Sequence, residues 1–278
     1  MLNTFCIPVR NRPKNLKAFI NFWANNFETK DDECILSSGD YIKSQHNFIF
    51  ADTSDEPADN KLFKPLPFSE YYWWKDIKTW NKSKLMNFAS MQCDSNFITF
   101  LDVDCVPEVG FIHNLTDKLI KNKDNINYKV SHNYRFLDNN VSMRLTQEAE
   151  KQTPKYDELF KSALKNVKEK FFRIQSPLYD GKKVGTAQFT MQLKTFFDLG
   201  GMDQRFTNYA CEDYEMAFRY YTLFGEPVIN DKETYHLFHE PTPDSKDENE
   251  VAKKWKLFEE LKRNNFPILH QSNFGIID

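Results

Sequence analysis

Short unbroken apolar runs alternate along this chain with longer stretches in which apolar residues recur every third or fourth position. Thr4 to Val9 reads as a strand. Pro13 then stands where a first-turn proline belongs, ahead of Leu16, Phe19, Ile20 and Trp23 at helical spacing. A second strand, Phe48 to Ala51, ends at Asp52 and Thr53 and opens a polar segment containing Pro57, Pro65 and Pro67. Beyond the aromatic cluster Tyr71 to Trp74, Asn81 can cap a helix carrying Leu85, Phe88 and Ala89. That helix leads into "FITFLDVDCVP", whose apolar residues read as a strand buried on both faces. Asp102 and Asp104 sit at its carboxyl end, the edge where ligands bind in open α/β sheets because the departing loops form a crevice there.

After Pro107, Ile112, Leu115 and Leu119 mark a helix, and a polar strand is expected near Tyr128 to Phe136. From Pro154, the residues Tyr156, Leu159, Phe160, Ala163, Leu164, Val167 and Phe171 form one apolar stripe with lysines opposite. An ordinary amphipathic helix is preferred here over a membrane-docking one, since the face also carries Glu158 and Glu169. Val251, Trp255, Phe258 and Leu261 mark a last helix. The alternation predicts an α/β fold, with a mostly parallel central sheet flanked by helices. One domain over 1–278 is expected, with a helical insertion near 141–174.

A chain of 278 residues at 40% hydrophobic content can bury a substantial core. The net charge of −3 offers no bulk attraction for nucleic acid. Five cysteines without paired spacing read as reduced thiols of a cytoplasmic protein. The chain enters a strand too early for a signal peptide, and no run of about 18 apolar residues suggests a membrane span, so membrane contact is expected to be peripheral at most.

Four groups of residues carry candidate chemistry. Asp-x-Asp after a strand can hold Mn²⁺ or Mg²⁺ against a diphosphate, because carboxylate oxygens suit hard cations, though the same pattern is common in turns. The two side chains would leave in one direction if the strand persists. In "CEDYEMAF", reached through Gly200 and Gly201, Glu212 and Asp213 begin a helix. Acids are favoured in any first turn, but a carboxylate there also stays ionised and can take a proton from a hydroxyl. In "YHLFHEP", His236 and His239 reach one ion only if the strand ends between them or a helical turn intervenes; packing is the alternative. Arg10 and Arg12 leave the first strand at the Asp102 edge, where they could grip phosphate or uracil oxygens or line a solvated turn.

With these in order, the sequence resembles the β-1,4-galactosyltransferase group of GT-A fold glycosyltransferases. "IPVRNRPKNLKAFI", "WNKSKLMNFA", "FITFLDVDCVP" and "FFDLGGMDQRFTNYACEDYEMAFR" carry the likeness. The resemblance implies that Asp104, His236 and His239 ligate Mn²⁺ or Mg²⁺, that Asp213 is the catalytic base and that Glu212 binds the acceptor. It implies a nucleotide-sugar site of Pro8, Arg10, Arg12, Asp102 and Val103, with Gly185 of "KKVGTAQF" beside the donor sugar. Asp52 is added from its place after the second strand. The sequence departs from the family at Tyr209, Ala210 and Cys211 and around Gly185, where the donor sugar is chosen. The implied reaction is an inverting transfer of galactose or N-acetylgalactosamine from a UDP-sugar to a glycan or glycolipid acceptor, as in surface glycan synthesis. A sugar-phosphate nucleotidyltransferase would need a glycine-rich loop that "IPVRNRPKN" lacks. A non-catalytic carbohydrate-binding protein would need neither base nor metal.

Overall fold

Every residue of β1 (Asn3–Val9) is buried, which makes it the natural centre of a sheet covered on both sides. The computed structural model describes residues 1–27, 45–66, 68–151, 173–174, 178–179, 182–185, 187–208, 211–240 and 247–277. In chain order, α1 (Pro13–Phe27), β2 (His46–Asp52), β3 (Ser69–Trp73), α2 (Lys82–Met91), β4 (Phe97–Phe100), β5 (Cys105–Pro107) and α3 (Phe111–Lys121) follow. Next come β6 (Lys129–Ser131), β7 (Tyr134–Phe136), α4 (Asn139–Ala149), β8 (Arg173–Ile174), β9 (Leu178–Tyr179) and β10 (Lys182–Lys183). The chain continues through β11 (Phe189–Gln192), α5 (Leu193–Asp198), α6 (Glu212–Phe224), β12 (Val228–Ile229), β13 (Thr234–His236) and α7 (Glu248–Arg263).

The central sheet has the order β12-β6-β11-β4-β1-β2-β3. Its neighbours are parallel except β11, which runs against both β4 and β6. Side chains alternate between the two faces as strand geometry requires. Phe5, Ile7, Phe48 and Phe50 pack with Trp23 of α1 and Phe111 of α3, while Cys6, Ile49, Ile98 and Phe100 pack with Met86 of α2 and Met216 of α6. A second, smaller sheet has the order β5-β13-β7-β8.

The second sheet alters the reading of two segments. The polar strand near Tyr128 to Phe136 is two strands, because β6 pairs within the central sheet while β7 pairs with β13. The step between them is buried at His132 and Asn133, whose backbones bond Gln188 and Thr234. Part of the aromatic cluster is strand, since Tyr71, Tyr72 and Trp73 belong to β3 at the sheet edge. The segment expected as a helical insertion opens with α4 but closes with β8, paired to β7; the amphipathic stretch from 154 to 171 lies outside the described residues.

Gly200 and Gly201 both take positive φ, 82° and 71°, at the turn that follows α5. A Cβ on Gly201 would sit 2.3 Å from the Phe274 ring and 2.6 Å from Asn87 Oδ1. Gly201→Ala should therefore cost about 2–5 kcal/mol, combining the left-handed penalty with overpacking. Thermal melting should show a fall of about 2–4 °C per kcal/mol, and an unchanged melting point would refute the close packing.

Candidate active site

β4 stops at Phe100, and residues 101–104 turn before the chain enters β5, with the Cys105 amide donating to the Asp102 carbonyl. Because the strand does not persist, Asp102 and Asp104 meet different partners. Asp104, 3% exposed, receives the Arg12 guanidinium. β13 lies antiparallel to β5 with His236 opposite Cys105, and the Leu237 amide donates to the Asp104 carbonyl at 2.7 Å. β13 ends at His236, which frees the chain to turn His239 toward the same carboxylate. His236 Nε2 lies 3.2 Å from Asp104 Oδ1, and His239 Nε2 lies 3.4 Å from Oδ2.

The other ring nitrogens decide what this means. His236 Nδ1 is 3.0 Å from the Leu237 carbonyl, and His239 Nδ1 is 2.9 Å from the Glu240 carbonyl. A carbonyl only accepts, so each Nδ1 donates to its carbonyl, and each Nε2 is turned toward the Asp104 carboxylate. With Nε2 unprotonated, both rings would offer lone pairs beside the carboxylate, the donor set a divalent cation needs. Burial pushes the His239 pKa down despite Asp104, which disfavours a second proton in that role. Burial pushes the Asp104 carboxyl up, but His236, Arg12, His239 and Lys82 together pull it below the usual range, so it is anionic. One carboxylate and two imidazoles oriented by backbone carbonyls fit Mn²⁺ or Mg²⁺. Cys105 Sγ also lies near Asp104 and His236. Burial pushes that thiol well up and its sulfur accepts from Gln188 Nε2, so it is a poor ligand.

On the other side of the turn, Asp102 Oδ1 lies 2.8 Å from Lys82 Nζ, which also lies 3.0 Å from Asp213 Oδ2. Lys82 opens α2, and Asp213 is the second residue of α6. Several bonds tie α2 and the residue before its cap to the loop at 202–208. Asn81 caps α2 and donates to the Gln204 carbonyl, Asn87 exchanges two bonds with Met202, and the Asn208 amide donates to the Trp80 carbonyl. Arg219, wholly buried, bonds Glu215 of its own helix and the carbonyl of Gly201.

One ammonium here faces three carboxyl groups. Burial lowers the Lys82 pKa, but Asp102, Asp213 and Glu212 more than reverse this, so the proton stays on nitrogen. The surplus negative charge is relieved at Asp213, where burial, with Glu212 and Asp102 adding, pushes the carboxyl up to about 8 against the pull of Lys82. The expectation that a first-turn acid stays ionised is corrected accordingly: desolvation outweighs the helix dipole. Glu212 is buried and likewise raised by burial.

The remaining predicted residues are more dispersed. Arg10 donates to the Lys78 carbonyl and keeps a buried Nη1 without a partner among the described residues. A cavity of about 470 Å³ is lined by Lys78 together with Thr53, Asn81, Gln204 and Thr207, among others. Pro8 lies within β1, and Val103 is buried between the two acids. Asp52 turns inward, accepting from Ser54 and from the Tyr71 hydroxyl. Gly185 packs beside Lys129, Ser131 and Pro227 near β6. Tyr209 and Ala210 lie outside the described residues. Sequence reasoning missed Lys82 and also Tyr134, whose phenol is raised by burial and by Asp102 and Asp213. Only the place of Lys82, directly after a helix cap and inside a family-like segment, could have flagged it.

Residues 24–229 match the family described as glycosyltransferase like family 2, and the chain belongs to that family. No match was found among curated proteins. Among solved structures, GalNAc-T7 with UDP, GalNAc and Mn²⁺ is 10% identical with a TM-score of 0.59, over 95% of this chain and 49% of that one. TarS of S. aureus is 12% identical with a TM-score of 0.57, over 98% and 41%. TarS 1-349 in complex with UDP-GlcNAc is 13% identical with a TM-score of 0.52, over 88% and 61%. These likenesses establish the GT-A fold, and the chain spans between 41% and 61% of those proteins.

If Asp104 and the two imidazoles take a divalent ion, Mn²⁺ should raise the melting temperature, by about 2.7 kcal/mol of stabilisation at 100 times Kd. Asp104→Asn and His239→Ala should abolish the rise. A shift of wild-type size in both variants would rule the site out.

Proposed function

We propose that this chain is an inverting, metal-dependent glycosyltransferase that moves a hexose from a UDP-sugar to a hydroxyl of a glycan or glycolipid acceptor. Galactose or N-acetylgalactosamine is the donor sugar suggested by the resemblance to β-1,4-galactosyltransferases. The observation that carries the reading is the convergence of His236 Nε2 and His239 Nε2 on the Asp104 carboxylate, with a second acidic centre at Asp213 on the other side of the same turn. Membership of the glycosyltransferase family supports it. So do the ligands of the fold relatives, UDP, GalNAc and Mn²⁺ in one and UDP-GlcNAc in another.

The chain's own groups divide the work. Asp104, His236 and His239 would hold the ion, which when bound neutralises charge growing on the leaving diphosphate. Arg10, whose Nη1 has no partner among the described residues, and Arg12 supply cationic donors to the nucleotide end. Asp102 accepts from the ribose. Asp213 Oδ1, buried and without a partner among the described residues, accepts the proton of the acceptor hydroxyl as the hydroxyl oxygen attacks the anomeric carbon from the face opposite the diphosphate. Glu212 holds the acceptor. The C–O bond to the diphosphate breaks as the new glycosidic bond forms, and the electron pair leaves with the phosphate oxygen.

Metal-dependent UDP-sugar hydrolysis, abolished by chelator, is the simplest assay. Asp213→Asn should lower turnover about 10²–10⁴-fold while UDP still raises the melting point; undiminished turnover would reject the base. Because the ionised form is required and the carboxyl is pushed up to about 8, kcat/KM should climb with pH and level off only above about that value. A profile flat from acid to neutral pH would show that Asp213 does not govern the rate.

A further inference from the structure

Lys82 has no part in the chemistry proposed above, yet its side chain is only 8% exposed and its ammonium touches carboxylates from two separate elements. Burying a lysine among acids is costly unless the charges are matched, so the arrangement calls for a reason. With Asp213 Oδ2 taken by Lys82, the other oxygen, Oδ1, is left buried and, among the described residues, unpartnered. A carboxylate clamped through one oxygen has a defined direction for the other. The clamp is itself rigid, because Lys82 follows the capping Asn81, which is tied to the Gln204 carbonyl, and α2 is bolted through Asn87 to the loop leading toward α6.

We propose that Lys82 is a positioning residue whose ammonium ties the donor-side Asp102 to the acceptor-side Asp213 and thereby aims Asp213 Oδ1 at the acceptor hydroxyl. The purpose of the clamp rests on the glycosyltransferase reading; its geometry does not. Asp213 is faced by Lys82 from α2, Asp102 from the turn after β4, Tyr134 from β7 and Glu212 from its own helix. Lys82 supplies the positive charge among them, and Lys254 of α7 acts on Glu212. Removing the ammonium leaves carboxylates to repel one another as they ionise.

Lys82→Met and Lys82→Arg test this, with UDP plus Mn²⁺ as the binding probe and UDP-sugar hydrolysis as the activity. The methionine variant should keep the UDP–Mn²⁺ melting shift, lose about 10²-fold in hydrolysis and move the acid limb of its pH profile upward; arginine should restore most of the loss. Wild-type hydrolysis with an unmoved acid limb in Lys82→Met overturns the proposal. Its melting point should also fall further below wild type between about pH 5 and about pH 9, since groups with raised folded pKa values lose stability as pH rises. Parallel melting curves overturn it too. If the methionine variant does not fold, the lysine ammonium ¹⁵N signal of the wild-type protein should step as Asp213 titrates, and the step should vanish in Asp213→Asn; a signal blind to Asp213 overturns the clamp. Wild-type protein that hydrolyses no UDP-sugar defeats the transferase reading alone, because the melting curves and ammonium signal still judge the clamp.

Discussion

Asp102, Asp104, Glu212 and Asp213 gather at one edge of the central sheet, and such a gathering is tolerable only with cations placed among them. The protein meets this need twice. Arg12 supplies the cation at Asp104, beside the two imidazoles, and Lys82 stands between Asp102 and Asp213. The turn at 101–104 keeps the two arrangements apart, since it sends one aspartate to each. A straight strand would have placed both acids on one face and left a single crowded charge cluster.

The supporting architecture reflects this division. The small sheet exists beside the large one because β4 gives way to β5 after the turn, and β13 pairing with β5 brings His236 into register next to Asp104. On the opposite flank, α2 and the loop before α6 are joined by asparagine side chains that bond backbone groups rather than other side chains. Such bonds fix helix ends with little rotational freedom. Gly200 and Gly201 are needed there because Leu269 and Phe274 approach the backbone too closely for any Cβ.

Much of this is legible along the chain. The unbroken apolar run before Asp102 and the helix capped by Asn81 show in local residue order, while the strand end between His236 and His239 is one of the alternatives it leaves open. The family resemblance groups Asp104, His236 and His239, and the structure brings them together. Lys82 is not legible, because a lysine in a first helical turn looks like any solvated residue until the acids that bury it are known. The inward turn of Asp52 is equally hidden, since its partner Tyr71 lies on the neighbouring strand β3. The break at His132 and Asn133 escapes notice because polarity alone does not reveal which sheet a strand joins.

Sequence by itself determined the alternation of strands and helices, the caps, and which residue types stand at the carboxyl edge of the sheet, since each depends on neighbours a few positions away. Tertiary structure alone decided which acid meets which cation, that Asp213 is raised rather than kept as an ordinary carboxylate, and that a lysine bridges two distant segments. The physical reason is that desolvation and charge pairing act through space: the same side chain is a solvated surface group or a buried ion-pair partner according to what the fold packs against it.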